Sequence, residues 1–420
     1  MGHTIAEKIL ARAAGLETVH AGQEIEVRPD FVIAYDFPGY TDVIFKQMEE
    51  EFGIDKVTDP ERFALFIDHM VPAVAPHEEE LHQNTRDWGA KNKVPVYERM
   101  GIGHQVAAEL GYATPGAFAV HFDGHISQLG TYGTLAIGVR RHLLEAFVKE
   151  YIKLKVPATT RINLNGKLQP GVTARDIFHH IVRVVGPSGC RGTVMELGGS
   201  ALQHLSLEGR QTITCLAMFT GAITAIINPD QTALDYALPR ARLGLEVQFS
   251  DADADYAAVH DIDVSHLAPI VVIPPNPANT RDLTDFAGTE IHLGYLGSCA
   301  SGRLEDLRMA AEVLEGRQIK PGFQLHVVPT SQSIMEQAAR EGTLATLIAA
   351  GAYVTSSSCD YCFGRMGVMS DGQAAVSTGT LNVRGRMGSP DSEIYIVNAA
   401  AVAAAAIEGC IADPRKYLKV

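Results

Sequence analysis

Two cysteines stand three positions apart in SSSCDYCFGRMG (356–367), at Cys359 and Cys362, and a third, Cys299, precedes them in GYLGSCASGRLEDLR. A Cys-x-x-Cys pair serves as a redox dithiol, as half of a zinc site or as part of an iron–sulfur site. The redox use wants a cysteine at a helix start in a small domain, which this context does not provide. Zinc wants four protein ligands, or three and a water. Gly297 and Gly302 flank Cys299, which suits a tight turn where backbone approaches something bulky. A helix opening near Gly302 would aim its first amides at an anionic group. Cys190, Cys215 and Cys410 have no partner at ligand spacing and read as small buried apolar residues. Spacing alone leaves structural zinc, an iron–sulfur cluster and incidental thiols all open.

A second set has acid–base character. Asp68 stands beside His69 in FIDHMVP, His104 lies in GIGHQV, Asp123 and His125 in HFDGH, and Glu196 in GTVMELGG. A carboxylate against an imidazole fixes its tautomer and raises its pKa, so that the cationic ring can protonate a leaving group. Judged singly, each of these histidines is an ordinary hydrogen-bonded residue.

The elements that must position these groups are short β-branched runs alternating with helical patterns. ALFIDH (64–69), PIVVIP (269–274), FQLHVVP (323–329) and AAVST (374–378) read as strands. GRLEDLRMAAEVLEG (302–316) and SIMEQAAREGTLATLIAAG (333–351) read as helical. Such alternation predicts an α/β fold with parallel sheets covered by helices, in which functional groups follow the carboxyl ends of strands. Asp68, Asp123 and Cys299 each come just after an apolar run. Thr4 and Glu7 have capping-box spacing ahead of an apolar stripe at Ile5, Ile9 and Leu10. IYIVNAAAVAAAAIEGC (394–410) is too short and too interrupted for a membrane span and reads as a strand followed by a tightly packed helix. PPNPANTRD (274–282), rich in Pro and Asn, is the best boundary candidate.

The 420 residues carry 35 basic and 49 acidic side chains, a net charge of −14. That balance argues against nucleic acid or an anionic membrane as partner, while a few local arginines can still hold an anionic small molecule. Six cysteines in this length are no disulfide scaffold, and the N-terminus lacks a basic segment followed by an apolar core. A cytoplasmic protein is expected.

The chain resembles the aconitase superfamily, in particular free-standing large subunits of the isopropylmalate isomerase and homoaconitase type. The resemblance runs from AEKILARAAG to IADPRKYL, with GSCASGRLEDLR (297–308), SSCDYCFGRMG (357–367) and GRMGSP (385–390) its most specific pieces. It implies three tightly associated α/β/α subdomains around a central cluster, here divided at 1–158, 159–270 and 271–420. It implies a [4Fe-4S] cluster held by Cys299, Cys359 and Cys362, with one iron lacking a thiolate and free to act as a Lewis acid. It further implies three carboxylate–histidine pairs: Asp68 with His69, Asp123 with His104, and Glu196 with His125. The reaction expected is loss and re-addition of water on a hydroxy acid. The family's catalytic serine belongs to a swivelling domain, for which no segment is found here. The resemblance therefore implies a small partner subunit, in a heterodimer or heterotetramer.

The sequence also departs from the family pattern. Gly124 replaces the serine of Asp-Ser-His, and TLNVRGR keeps one arginine, Arg386, but has Leu381 for the other. Replacing an arginine that binds a carboxylate by leucine should cost several kcal/mol of affinity for a dicarboxylate. YDFPGY puts Tyr35 where a histidine is usual and Phe37 where a glycine is, ahead of and behind Asp36. CASGR leads into Arg303, and Asp360 and Tyr361 stand where small residues are usual. Arg386, Tyr35, Asp36, Gly124, Arg303 and Leu381 are the expected substrate-side positions. Since the losses fall on the carboxylate-binding side, the expected substrate is a small hydroxy-carboxylate, a substituted malate or relative, less charged or more apolar than isopropylmalate; the alternatives are an isopropylmalate isomerase with a drifted pocket and a relative that has lost the cluster and serves in binding or regulation.

Overall fold

A computed structural model describes residues 2–418. The sheets follow one another along the chain. The first is five-stranded and wholly parallel, in the order 96–98, 63–67, 31–35, 118–121, 135–138. Its strands wind outward in both directions from the pair Phe31–Tyr35 and Phe118–His121, which opens a crevice at their carboxyl ends. Both central strands are buried on both faces and accordingly carry near-continuous apolar runs. A small antiparallel ribbon joins Glu24–Val27 to Ile152–Lys155. The second sheet has four parallel strands, in the order 224–227, 194–198, 159–165, 258–263.

The third sheet has seven strands, in the order 280–282, 270–272, 393–396, 374–377, 293–296, 324–327, 353–354. Its last five are parallel, and the order again reverses beside Leu293–Leu296 and Ala374–Ser377. The Pro- and Asn-rich segment 274–282 is not a boundary. It turns between Ile270–Val272 and Thr280–Asp282, two antiparallel strands of this one sheet. Proline and asparagine suit a tight reversal as well as a linker, so composition misplaced it.

Local signals explain the helices. Thr4 and Glu7 form the expected capping box at Ile5–Ala14. Asn398 caps Ala399–Glu408, and the alanine run lets that helix pack closely on Leu304–Leu314 within the largest core. The pattern over 333–351 forms two helices, Gln332–Arg340 and Thr343–Ala349, because Gly342 between them takes a φ of 86°. The three bodies are sewn together by buried polar groups. Arg175 donates to the carbonyls of Ala300, Thr378 and Gly379, and Ile102 N–H donates to Thr330 O at 2.9 Å.

Candidate active site

The carboxyl ends of the first and third sheets face one cavity of about 150 Å³. From the first sheet come Tyr35, Phe37, Tyr40, His69, His104, Asp123 and His125; from the third come Cys299, Cys359, Cys362, Phe363, Thr380 and Arg386. Cys299 follows Leu293–Leu296 through a turn that glycine makes possible. A Cβ on Gly302, whose φ is 74°, would stand 2.6 Å from the carbonyl of Val328. Cys359 stands at the start of a single 3-10 turn, Asp360–Phe363, after Tyr353–Val354, and Cys362 lies within it. All six cysteines are free thiols.

The carboxylate–histidine pairs are partly as expected. His69 Nδ1 lies 2.6 Å from Asp68 Oδ1, and Asp68 Oδ2 accepts the N–H of Gly103 at 2.6 Å. Burial alone would lower the His69 pKa, but the Asp68 carboxylate overrides it and pushes the ring up to about 9. Asp123 does not pair with His104. Its Oδ1 lies 2.8 Å from His125 Nδ1 and accepts the His125 N–H at 2.7 Å, because Asp123 caps the 3-10 turn whose second residue is His125. Burial opposes the charge on His125 too, yet Asp123 pushes it up to about 10. His104 has no partner for either ring nitrogen among the described residues, and burial lowers its pKa, so it is neutral.

Glu196 does not reach the cavity. It lies mid-strand in the second sheet, where Arg161, Asn228, Ser250 and Tyr256 satisfy its buried carboxylate. Strand alternation decides this: the sequence shows a glutamate after an apolar run but not which face it takes.

The expected substrate-side positions divide in the same way. Tyr35 and Arg386 line the cavity. Arg386 Nη2 lies 3.5 Å from Cys362 Sγ, and its Nε is buried without a partner among the described residues. Asp36, Gly124, Arg303 and Leu381 are not among the lining residues. Asp36 lies behind His69: its Oδ1 accepts the N–H groups of Asp68 and His69 at 3.1 and 3.4 Å, and its Oδ2 is 3.0 Å from His82 Nε2. Gly124 packs against Gly138 and Met218. Arg303 is fully buried and grips Gln105, Thr212, Gln128 and the carbonyl of Cys299 at 2.7–3.1 Å. It shapes the cysteine turn from behind. An apolar wall is built by Tyr35, Phe37, Tyr40 and Phe363 rather than by Leu381. Phe37 lies 5.7 Å from Phe363 and 5.3 Å from Tyr40, ring to ring.

Sequence reasoning missed several neighbours. The ring of His121, two residues before Asp123, lies 4.8 Å from that of His104 and 4.7 Å from that of Tyr35, tilted against both. Burial and the nearby His104 hold its pKa down to about 3, and its Nδ1 accepts the Asp123 N–H. Its place at a strand end was the available signal. Cys215, read as an isolated apolar residue, has its thiol against that of Cys299; this hydrogen bond and burial raise the Cys299 pKa. Nothing in the spacing of 215 and 299 announces that contact.

The donor set suits a sulfur-rich metal cluster. Three thiols share one wall, thiolate being the usual ligand of iron–sulfur clusters, and they stand beside a guanidinium that suits a cluster's negative charge. Buried nitrogens of His104 and Arg386, together with His125 Nε2, face this space without protein partners among the described residues. Unsatisfied buried donors are rare and point to a missing ligand.

This arrangement coincides with a clear kinship. The profile of the aconitase family (aconitate hydratase) matches residues 7–290 and 284–409. The 3-isopropylmalate dehydratase large subunit of Aquifex aeolicus is 36% identical over 428 residues, covering 100% of this chain and 98% of that one. Its counterpart in Moorella thermoacetica is 37% identical over 424 residues, with 100% of both chains covered. Aconitase X of Thermococcus kodakaraensis, in its holo form, aligns over 86% of this chain and 84% of its own at 11% identity, with a TM-score of 0.49. The chain belongs to the aconitase family. It is accordingly a hydro-lyase, and the family implies a [4Fe-4S] cluster. Among the described residues no helix is long and apolar enough to cross a membrane.

Proposed function

We propose that this chain is the large subunit of a [4Fe-4S]-dependent hydro-lyase acting on a 2- or 3-hydroxy acid related to isopropylmalate or a substituted malate. The observation that carries the reading is the convergence of Cys299, Cys359 and Cys362 with Arg386 and three imidazoles on one cavity. Cys299, Cys359 and Cys362 would hold the cluster, whose thiolate-free iron would supply Lewis acidity toward the substrate hydroxyl. Arg386 binds a substrate carboxylate through its fork. His69, cationic at neutral pH through Asp68, donates a proton to the departing hydroxide, which leaves as water. With Nδ1 committed to Asp68, its Nε2 is the nitrogen available to the substrate. His125, cationic through Asp123, offsets the negative charge of the neighbouring thiolates. Neutral His104 accepts or donates a hydrogen bond to the migrating water. The proton on the carbon next to the carboxylate goes to a serine of a small partner subunit, and the freed electron pair forms the double bond as the C–O bond breaks.

The aromatic wall and the single arginine among the lining residues favour a substrate with one firmly held carboxylate and an apolar substituent. A reducing cytoplasm suits six free thiols. The test is iron and acid-labile sulfide per chain after anaerobic purification, followed by a screen of hydroxy acids with the small subunit added. About four of each, abolished by Cys359→Ser, is expected. Zinc without sulfide would refute the reading, as would full turnover without a partner for the partner assignment.

A further inference from the structure

Asp360 sits between the two proposed cluster cysteines, in a position where the resemblance leads one to expect a small residue. Its side chain is fully buried and turns away from the cavity. Oδ1 accepts the N–H of Met70 at 2.7 Å and Oδ2 that of Val71 at 2.9 Å. Arg365 Nη1 approaches Oδ2 at 3.3 Å while the rest of its guanidinium forks onto Glu78 at 2.7 and 3.1 Å and reaches Pro72 O at 2.9 Å. Glu78 in turn accepts the N–H groups of Val74 and Ala75. One more bond ties the same two segments, from Cys359 N–H to Asp68 O at 3.0 Å. The segment 68–75 carries the acid His69; the segment 359–365 carries two of the three thiols. Met70 holds a left-handed φ of 57°, a conformation a methionine keeps only when its surroundings impose it.

We infer that Asp360 is a positioning residue that couples cluster occupancy to the placement of His69. A cluster bound by Cys359 and Cys362 makes their turn rigid. The carboxylate between them passes that rigidity to the amides of Met70 and Val71, and so to the ring one residue before. Loss of the cluster loosens the same amides. By linkage, a well-ordered 68–75 segment favours cluster retention to the same degree. The inference rests on the proposed ligation by these cysteines.

The experiment is hydrogen exchange over 68–75, in cluster-loaded and cluster-free protein, for wild type, Asp360→Ala and Asp360→Asn, with iron and sulfide measured on each sample. In wild type, removing the cluster should speed exchange roughly tenfold or more, about the worth of one charge-assisted hydrogen bond. In loaded Asp360→Ala the segment should already exchange at the fast rate, and cluster removal should add nothing. Asp360→Asn, which keeps one acceptor, should fall between. With the small subunit present, both variants should lower kcat while leaving KM near the wild-type value, since Arg386 is untouched. A variant that keeps its cluster and its protection overturns the inference. Cluster loss from the variants with the 68–75 segment still exchanging as slowly as in loaded wild type also overturns it, because Asp360 would then serve the thiols rather than His69. Wild type without iron and sulfide refutes the ligation reading itself, an outcome that the metal analysis distinguishes from the exchange result.

Discussion

The Asp68–His69 pair allows a quantitative test through Asp68→Asn. The substitution keeps the shape of the side chain and an oxygen for the Gly103 amide, and removes the charge. Asp68 is the main influence holding the His69 ring up near 9; burial, the largest influence of all, pulls it down, and Asp36 and Asp360 contribute more weakly. Without Asp68, burial takes the ring down to its ordinary 6.5 or below. At pH 8 the protonated fraction then falls from about nine-tenths to about one-thirtieth or less, roughly 30-fold, equivalent to about 2 kcal/mol. Turnover of the complete enzyme in the dehydration direction should fall by that factor at pH 8. Near pH 5.5 the variant should lie within a few-fold of wild type. The alkaline limb should move from about 9 to 6.5 or below. A uniform fall at every pH, with the limb unmoved, would refute His69 as the acid. The same pair acts on folding. A folded-state pKa raised above the unfolded value gives stability that is full below pH 6.5 and is lost as pH rises through about 9. Urea unfolding at the two ends of that window should show the loss in wild type and not in Asp68→Asn.

Other substitutions separate the groups that face substrate from those that hold the frame. Arg386→Leu should cut kcat/KM by roughly 10²-fold or more, the cost of leaving a bound carboxylate unpaired, with protein stability little changed. Glu196→Ala should lower unfolding stability by about 3 kcal/mol by stranding Arg161 beside a buried void, yet leave the alkaline limb of turnover in place; a shifted limb would return Glu196 to the proton-transfer set. Arg303→Lys cannot reproduce four separate contacts from one fork, so thermal unfolding should move down by several degrees and cluster content should fall with it.

The chemistry-bearing residue types and their place after strands were legible in the linear sequence. Cys299, Cys359, Cys362, Asp68, His69, Asp123, His125 and Arg386 all reach one cavity or the residue lining it. The α/β character and most strands were equally visible, because a strand buried on both faces must be apolar throughout and a helix must cap itself locally. Three things were decided only by tertiary structure. Which carboxylate meets which imidazole depends on turn geometry: Asp123 and His125 lie on one 3-10 turn and meet, while His104 arrives from a separate helix and stays unpaired. Which face a side chain takes depends on the sheet in which its strand sits. Glu196 points to Arg161 within its own sheet, and Arg303 turns inward to the protein interior. Long-range contacts such as Cys215 with Cys299, or Asp360 with Met70 and Val71, join residues far apart in sequence. A residue's type and its near neighbours set what it can do, whereas the packing of three sheets sets what it touches.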